Sequence, residues 1–133
     1  MNRRNLKKSD FAVGQTVYLL MSERGNKRRI YRNQPEKWIV AQNVEAIGKK
    51  YITAGGYKFD MTSDFRNTND GIEDWEIYLT REDAENSLKA VAELRAVRAN
   101  IEQYGKYMQY SDLKAINDII GKYIAAKEVN NNV

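Results

Sequence analysis

A change of hydrophobic periodicity near Leu79 constrains the fold of this 133-residue chain more than any other feature. Before it, five short stretches rich in β-branched and aromatic residues are separated by glycines or polar loops, which is the pattern of short strands. After it, apolar residues recur every three or four positions, as they do along one side of a helix. The chain is therefore predicted to be α+β, with its strands and helices segregated along the sequence.

The predicted strands are separated by two glycine turns and two polar loops. They cover residues 13–21, 38–47, 50–54, 57–60 and 75–79. Gly48-Lys49 and Gly55-Gly56 are predicted as tight turns because glycine adopts the positive φ that such turns need. A sheet this small cannot easily protect its edges unless it curls on itself. We therefore expect a small, five-stranded antiparallel barrel.

The second half of the chain predicts two helices. Thr80 with Asp83 resembles a capping box, which marks a helix start. Gly105 is the predicted end of this helix, and Ser111 is the predicted N-cap of the next. The apolar residues of the two segments form two stripes: Ala84, Leu88, Val91, Leu94, Val97, Ile101 and Tyr104, then Leu113, Ile116, Ile120, Tyr123 and Ile124. Two stripes joined by a short linker predict an antiparallel helical hairpin.

These elements give four predicted segments. Residues 1–10 are expected to be a flexible basic tail, 11–79 the β-barrel module, 80–128 the helical hairpin, and 129–133 a disordered tail. No apolar run approaches the length of roughly 18 residues that spans a bilayer, and the first residues lack the apolar segment of a signal peptide. We expect a cytoplasmic protein that does not enter the membrane.

The absence of cysteine and histidine limits the chemistry of the chain. It excludes disulfides, thiolate nucleophiles, His-dependent triads and the usual zinc ligands. The densest carboxylate group lacks the spacing of a calcium-binding loop; its members are Asp60, Asp64, Asp70, Glu73 and Asp74. We therefore expect no enzymatic activity, no cofactor and no metal.

Charge is distributed unevenly along the chain. Residues 1–60 contain 13 Lys and Arg against 5 Asp and Glu, whereas residues 61–133 contain 9 against 13. This asymmetry suggests an anionic partner for the first half. Apart from a cluster at Arg3, Arg4, Lys7 and Lys8, the cations concentrate in the loop after the first strand. The predicted binding residues there are Arg24, Lys27, Arg28, Arg29, Tyr31 and Arg32.

In this loop the cations would neutralise phosphates while Tyr31 stacks on a base, or the loop is simply a solvated basic segment. A second contact site is predicted at the turn between the helices, at Tyr107, Met108 and Tyr110, because Tyr and Met are enriched at interface cores. These three residues could instead only close the hairpin. The strand aromatics, such as Trp38 and Trp75, are expected to pack in the core or at its rim.

Residues 13–18, Val-Gly-Gln-Thr-Val-Tyr, resemble the opening of Src-homology-3-like barrels, and residues 44–53 are similar to their central hairpin. With residues 57–60 and the exit from Tyr78 into a helix, the order resembles small barrel proteins of phages and other mobile elements. The resemblance implies a Src-homology-3-like fold and a bacterial host cell. It carries over no catalytic residues.

Two functions follow from these observations. The first is a non-enzymatic binding protein, such as a phage-encoded inhibitor or adaptor acting on a bacterial nuclease or defence complex in an anti-CRISPR-like role. Its partner would be a host protein or nucleoprotein complex. The alternative is a protein that binds nucleic acid directly through the basic surface of the first half. Salt dependence separates the two, because phosphate contacts weaken steeply with salt.

Overall fold

The computed structural model describes residues 5–69 and 72–131 and contains seven strands and three α-helices in that part of the chain. The strands are β1 (Thr16–Met21), β2 (Ile39–Ile47), β3 (Tyr51–Ala54), β4 (Tyr57–Asp60), β5 (Thr68–Asn69), β6 (Ile72–Glu73) and β7 (Trp75–Tyr78). The α-helices are α1 (Asn26–Ile30), α2 (Arg81–Tyr104) and α3 (Tyr110–Asn131). The five longer strands match the predicted ones, with ends that differ by up to three residues.

The five longer strands form one antiparallel sheet in the order β4-β3-β2-β1-β7. The first half of β2 pairs with β1, and its second half pairs with β3 after a register shift between Val44 and Ala46. Such an irregularity bends a strand, so β2 can belong to both halves of a curled sheet. The result is the predicted fold class, a nearly closed five-stranded antiparallel barrel followed by helices.

The alternation of β1 explains how it can be buried on both faces. Val17, Leu19 and Met21 point into the main core. The other members of that core are Phe11, Val44, Ile52, Ala54, Phe59, Phe65, Trp75 and Ile77. Leu20 lies on the opposite face and packs in a second cluster with Ile39, Tyr78 and Ala84.

The first turns of α2 cover that second cluster. The Thr80 Oγ1 accepts a hydrogen bond from the Asp83 backbone N–H at 3.0 Å, as the predicted N-cap requires. Ala84 is fully buried, and the hydroxyl of the buried Ser87 lies 2.8 Å from the hydroxyl of Tyr78. These contacts fix the start of the helix to the sheet.

The chain divides into two compact units, residues 2–88 and residues 89–133. We call them the β unit and the helical unit. In the helical unit α2 ends at Tyr104, a 3₁₀ turn spans Gly105–Tyr107, and α3 begins at Tyr110. No residue from 89 to 126 is buried.

The two glycine turns differ from each other. Gly55 and Gly56 both have positive φ, at 57° and 81°, and form the predicted turn, which pairs Ala54 with Tyr57. Gly48 does not have positive φ, so the expected reason for that turn was wrong. The chain instead reverses over Gly48–Lys50, and the Gly48 N–H donates to the Tyr51 carbonyl oxygen at 2.9 Å.

Both predicted polar loops contain short regular elements. The first holds α1, and the second holds the β5–β6 hairpin. Of the predicted basic tail, Arg3 and Arg4 lie outside the described residues, and residues 8–10 form a 3₁₀ turn. Of the predicted disordered tail, residues 132 and 133 lie outside the described residues, and α3 extends through Asn131.

Candidate binding surface on the basic loop

The predicted cations lie in a structured connection between β1 and β2, which we call the basic loop (residues 24–37). Its second residue, Gly25, is buried and directly precedes α1. A Cβ atom on Gly25 would lie 3.1 Å from the Glu73 carbonyl oxygen and 3.2 Å from the Asp74 Cα. This close approach of two backbones explains why a glycine precedes α1.

Arg28 holds the basic loop to the barrel. Its Nη1 donates a hydrogen bond to the Met21 carbonyl oxygen at 2.9 Å, and its guanidinium lies 4.1 Å from the centre of the Trp38 ring. The Trp38 Nε1–H donates in turn to the Tyr31 carbonyl oxygen at 2.8 Å. Arg28 thus joins the end of β1 to the residue before β2, and its role in this structure is to position the loop.

Three other cations of the loop face solvent. The side chains of Arg24, Arg29 and Arg32 are exposed, and they make no hydrogen bond or ion pair with a described residue. Lys27 is half-buried, and its Nζ lies 5.8 Å from the centre of the Trp75 ring. The predicted cluster therefore separates into three solvent-facing guanidinium groups and two cations that contact aromatic rings of the barrel.

Tyr31 is less exposed than a free stacking platform would be. It is half-buried against the main core, and the Lys37 Nζ lies 5.4 Å from the centre of its ring. Ile30 next to it is 69% exposed. The loop thus presents an apolar side chain among its cations, while the stacking role of Tyr31 stays a prediction.

A second cationic group, which the sequence analysis did not single out, surrounds Tyr51. This residue is 39% exposed, and the Nζ atoms of Lys50 and Lys58 lie 5.3 and 5.7 Å from the centre of its ring. The sequence feature that could have predicted this group is the two-residue turn at Gly55-Gly56. That turn sets Thr53 opposite Lys58, which places Lys58 diagonally from Tyr51 on the same face of the sheet.

The predicted second contact site lies between α2 and α3. Tyr107 and Tyr110 are 74% and 77% exposed, Met108 is half-buried, and the Lys106 Nζ lies 5.1 Å from the Tyr107 ring centre. The two tyrosines are accessible to a partner. A contact role for the three residues stays a prediction.

Asp60 is a carboxylate whose surroundings lower its pKa. Hydrogen bonds from Thr62, from its side chain at 2.6 Å and its backbone N–H at 2.9 Å, hold the pKa of Asp60 below its ordinary value, and Lys50 at 3.8 Å acts in the same direction. The side chain thus stabilises the turn after β4. Within residues 5–69 and 72–131, no three Asp and Glu side chains are grouped so that they could hold a metal ion.

The fold and this surface define a class of protein: a nearly closed β-barrel with a cationic loop that Arg28 and Trp38 hold in place, followed by two long helices. The chain belongs to the family of the phage ProQ C-terminal-like domain, whose model matches residues 1–125. This match confirms the predicted phage-type affiliation. No curated protein and no solved structure matches the chain. Among the described residues, no helix is both long and apolar enough to cross a bilayer.

Proposed function

We propose that this protein is a non-enzymatic, phage-associated protein that binds nucleic acid through the basic loop, in the cytoplasm of a bacterial host. The observation that carries the proposal is the set of three exposed guanidinium groups, at Arg24, Arg29 and Arg32, that make no ion pair with a described residue. Arginine side chains bind phosphates through paired N–H donors. Because α1 and Trp38 fix the loop, these groups need little ordering on binding.

Two further observations support nucleic acid as the ligand. Tyr51 offers an exposed ring between two lysines, which suits stacking of an unpaired base beside a phosphate. The strand order, with β2 shared between the two halves of the barrel, also supports the resemblance to Src-homology-3-like barrels. Small barrels bind nucleic acids or peptides on one face beside their loops, although fold alone does not define function.

The test is the salt dependence of binding to fluorescent RNA and DNA, single- and double-stranded, measured by anisotropy. Replacing Arg24, Arg29 and Arg32 with alanine should lower affinity and reduce the slope of log K against log salt by about 2 for a single strand, at roughly 0.7 per phosphate contact. The matched control removes the same charge from the helical unit, with Lys89, Arg98 and Lys122 replaced by alanine. Its slope should remain that of the parent.

Two results would count against nucleic-acid binding by this loop. One is the absence of binding to every probe at low salt. The other is an equal loss of slope in the two triple variants, because this would show that only net charge matters.

A protein partner is the second candidate, and the exposed Ile30 favours it. An isoleucine side chain has no charge or hydrogen-bond donor with which to bind a phosphate, whereas protein interfaces use apolar anchors surrounded by polar residues. In this form the protein is an inhibitor or adaptor that inserts the basic loop into an acidic groove of a bacterial nuclease or defence complex, in an anti-CRISPR-like role. Replacement of Ile30 with serine should then weaken capture of the host complex, and this capture should survive moderate salt.

A further inference from the structure

Between residues 89 and 126, α2 and α3 of the helical unit carry exposed apolar side chains, and none of the described residues there is buried. We call this set of side chains the helical stripe. Its residues are 37–59% exposed, and they are Leu94, Val97, Ile101, Tyr104, Leu113, Ile119, Ile120, Tyr123 and Ile124. Since a long helix in a protein gains most of its stability from packing of its apolar face, two helices without a buried residue between 89 and 126 need a covering surface.

We propose that a second copy of this chain covers the helical stripe, so that the protein is a dimer held by α2 and α3 of both copies. The size of the stripe is the first argument. With about 200 Å² for a whole aromatic or large aliphatic residue, its exposed parts amount to roughly 800 Å² per chain. Taken together, the exposed apolar parts of α2 and α3 equal the share of about 800 Å² that each partner contributes to a standard interface.

The distribution of charge around the stripe is the second argument. On α3, Ile120 is flanked by Ile116 and Ile124 on one side of the helix, whereas Asp118 lies about 200° away, because each residue turns the helix by about 100°. Asp118 is ion-paired there with Lys114 at 3.4 Å. Around Ile120, the stripe therefore resembles the core of a protein interface, from which charged residues are depleted.

The net charge of the segment favours a copy of itself over an anionic surface. Residues 89–126 carry six Lys and Arg against four Asp and Glu, of mixed sign along both helices. A helix that lies on a membrane has a cation-rich polar face, and a nucleic-acid contact requires clustered cations. Two nearly balanced helical units repel each other little, so α2 and α3 of two copies can pack against each other about a two-fold axis.

The experiment measures the mass of the full-length protein by light scattering over a range of micromolar concentrations. The stripe variant combines Val97→Glu with Ile120→Glu. The control variant combines Ala99→Glu with Ala125→Glu, which adds the same charge on the far sides of the same helices. Val97 and Ile120 are both exposed within one chain, so their replacement removes no buried side chain. The fluorescence of Trp38 and Trp75 reports separately whether the β unit is folded.

The parent and the control variant should have twice the 15.4 kDa mass of one chain, and the stripe variant should have the mass of one chain with unchanged tryptophan fluorescence. The proposal is overturned by a parent that stays at the mass of one chain, even if it then binds lipid vesicles or another protein. A stripe variant that keeps the doubled mass, or a control that dissociates equally, also overturns it. These outcomes are independent of the basic loop.

Discussion

Replacing Arg28 with alanine should destabilise the β unit, whereas the same change at the neighbouring Arg29 should not. The Arg28 guanidinium donates to the Met21 carbonyl oxygen and stacks on Trp38, but Arg29 is exposed and makes no ion pair with a described residue. Both substitutions remove one positive charge from α1. The pair therefore separates the positioning role of a cation from its effect on net charge.

The contacts of Arg28 set the expected magnitude. A hydrogen bond from a charged donor contributes about 1.5–3 kcal/mol, and a partly exposed cation–π contact about 1 kcal/mol. Water can replace part of this when the side chain is truncated, so we expect a loss of about 2 kcal/mol in the free energy of unfolding. For a unit of this size such a loss lowers the Tm by roughly 10 °C. A surface change such as Arg29→Ala should stay within about 0.5 kcal/mol of the parent.

Urea denaturation followed by tryptophan fluorescence measures this difference directly, because Trp38 is itself the stacking partner. Arg28→Lys is the informative third variant, since it keeps the charge and loses the planar group that stacks and donates in a fixed direction. It should recover less than half of the lost stability. If Arg28→Ala and Arg29→Ala unfold at the same urea concentration, the contacts of Arg28 with Met21 and Trp38 do not stabilise the loop, and the reasoning is refuted.

Two further predictions concern the turn between β3 and β4 and the turn that follows β4. Gly55→Ala should cost about 1–2 kcal/mol in the free energy of unfolding, because φ is 57° and the new Cβ would lie 2.7 Å from the Cγ of Gln42. Gly56→Ala, where no atom lies within 4 Å of that position, should cost less in the same denaturation assay, and equal losses would contradict the steric part of the argument. For Asp60, the folded state has the lower pKa because of Thr62, so its stabilising contribution is present above the unfolded pKa and is lost as the pH falls through the folded pKa. Acid titration of thermal stability should therefore show a smaller decline below about pH 4 for Asp60→Asn than for the parent, and parallel curves would argue against this role.

The sequence was sufficient to predict the strands because two independent signals agreed there. The first is the enrichment in β-branched and aromatic residues, and the second is the position of the glycine turns. In β1, Leu19 and Leu20 lie in two different clusters on opposite faces, because successive strand residues point to opposite sides of a sheet. The pair Gly55-Gly56 fixed the register of β3 and β4. Gly48 shows the limit of the second signal, because a glycine permits positive φ without requiring it, and the hydrogen bond to the Tyr51 carbonyl forms without it.

The candidate site was less predictable than the fold, since identical residue types in one loop have different surroundings. Nothing local distinguishes Arg28 from Arg29, yet one contacts Trp38, ten residues further along the chain, and the other faces solvent. The distinction depends on where β2 begins relative to the end of β1. It is therefore set by the tertiary structure, and a cluster of cations in a sequence overstates the number that are available to a ligand.

The helical stripe shows a different limit, which concerns the identity of the covering surface. A spacing of three and four residues, as in Leu94, Val97 and Ile101, indicates that one side of a helix is apolar and is stabilised by burial away from water. The spacing does not indicate whether a strand, a neighbouring helix or another molecule covers that side. In α2, strands of the sheet cover Ala84, whereas Leu94, ten residues later, is exposed. Because the apolar pattern of α2 continues past Ser87, the last buried residue of that helix, the same physical requirement that places Ala84 in a core makes a second copy of the chain the occupant we propose for the rest of the stripe.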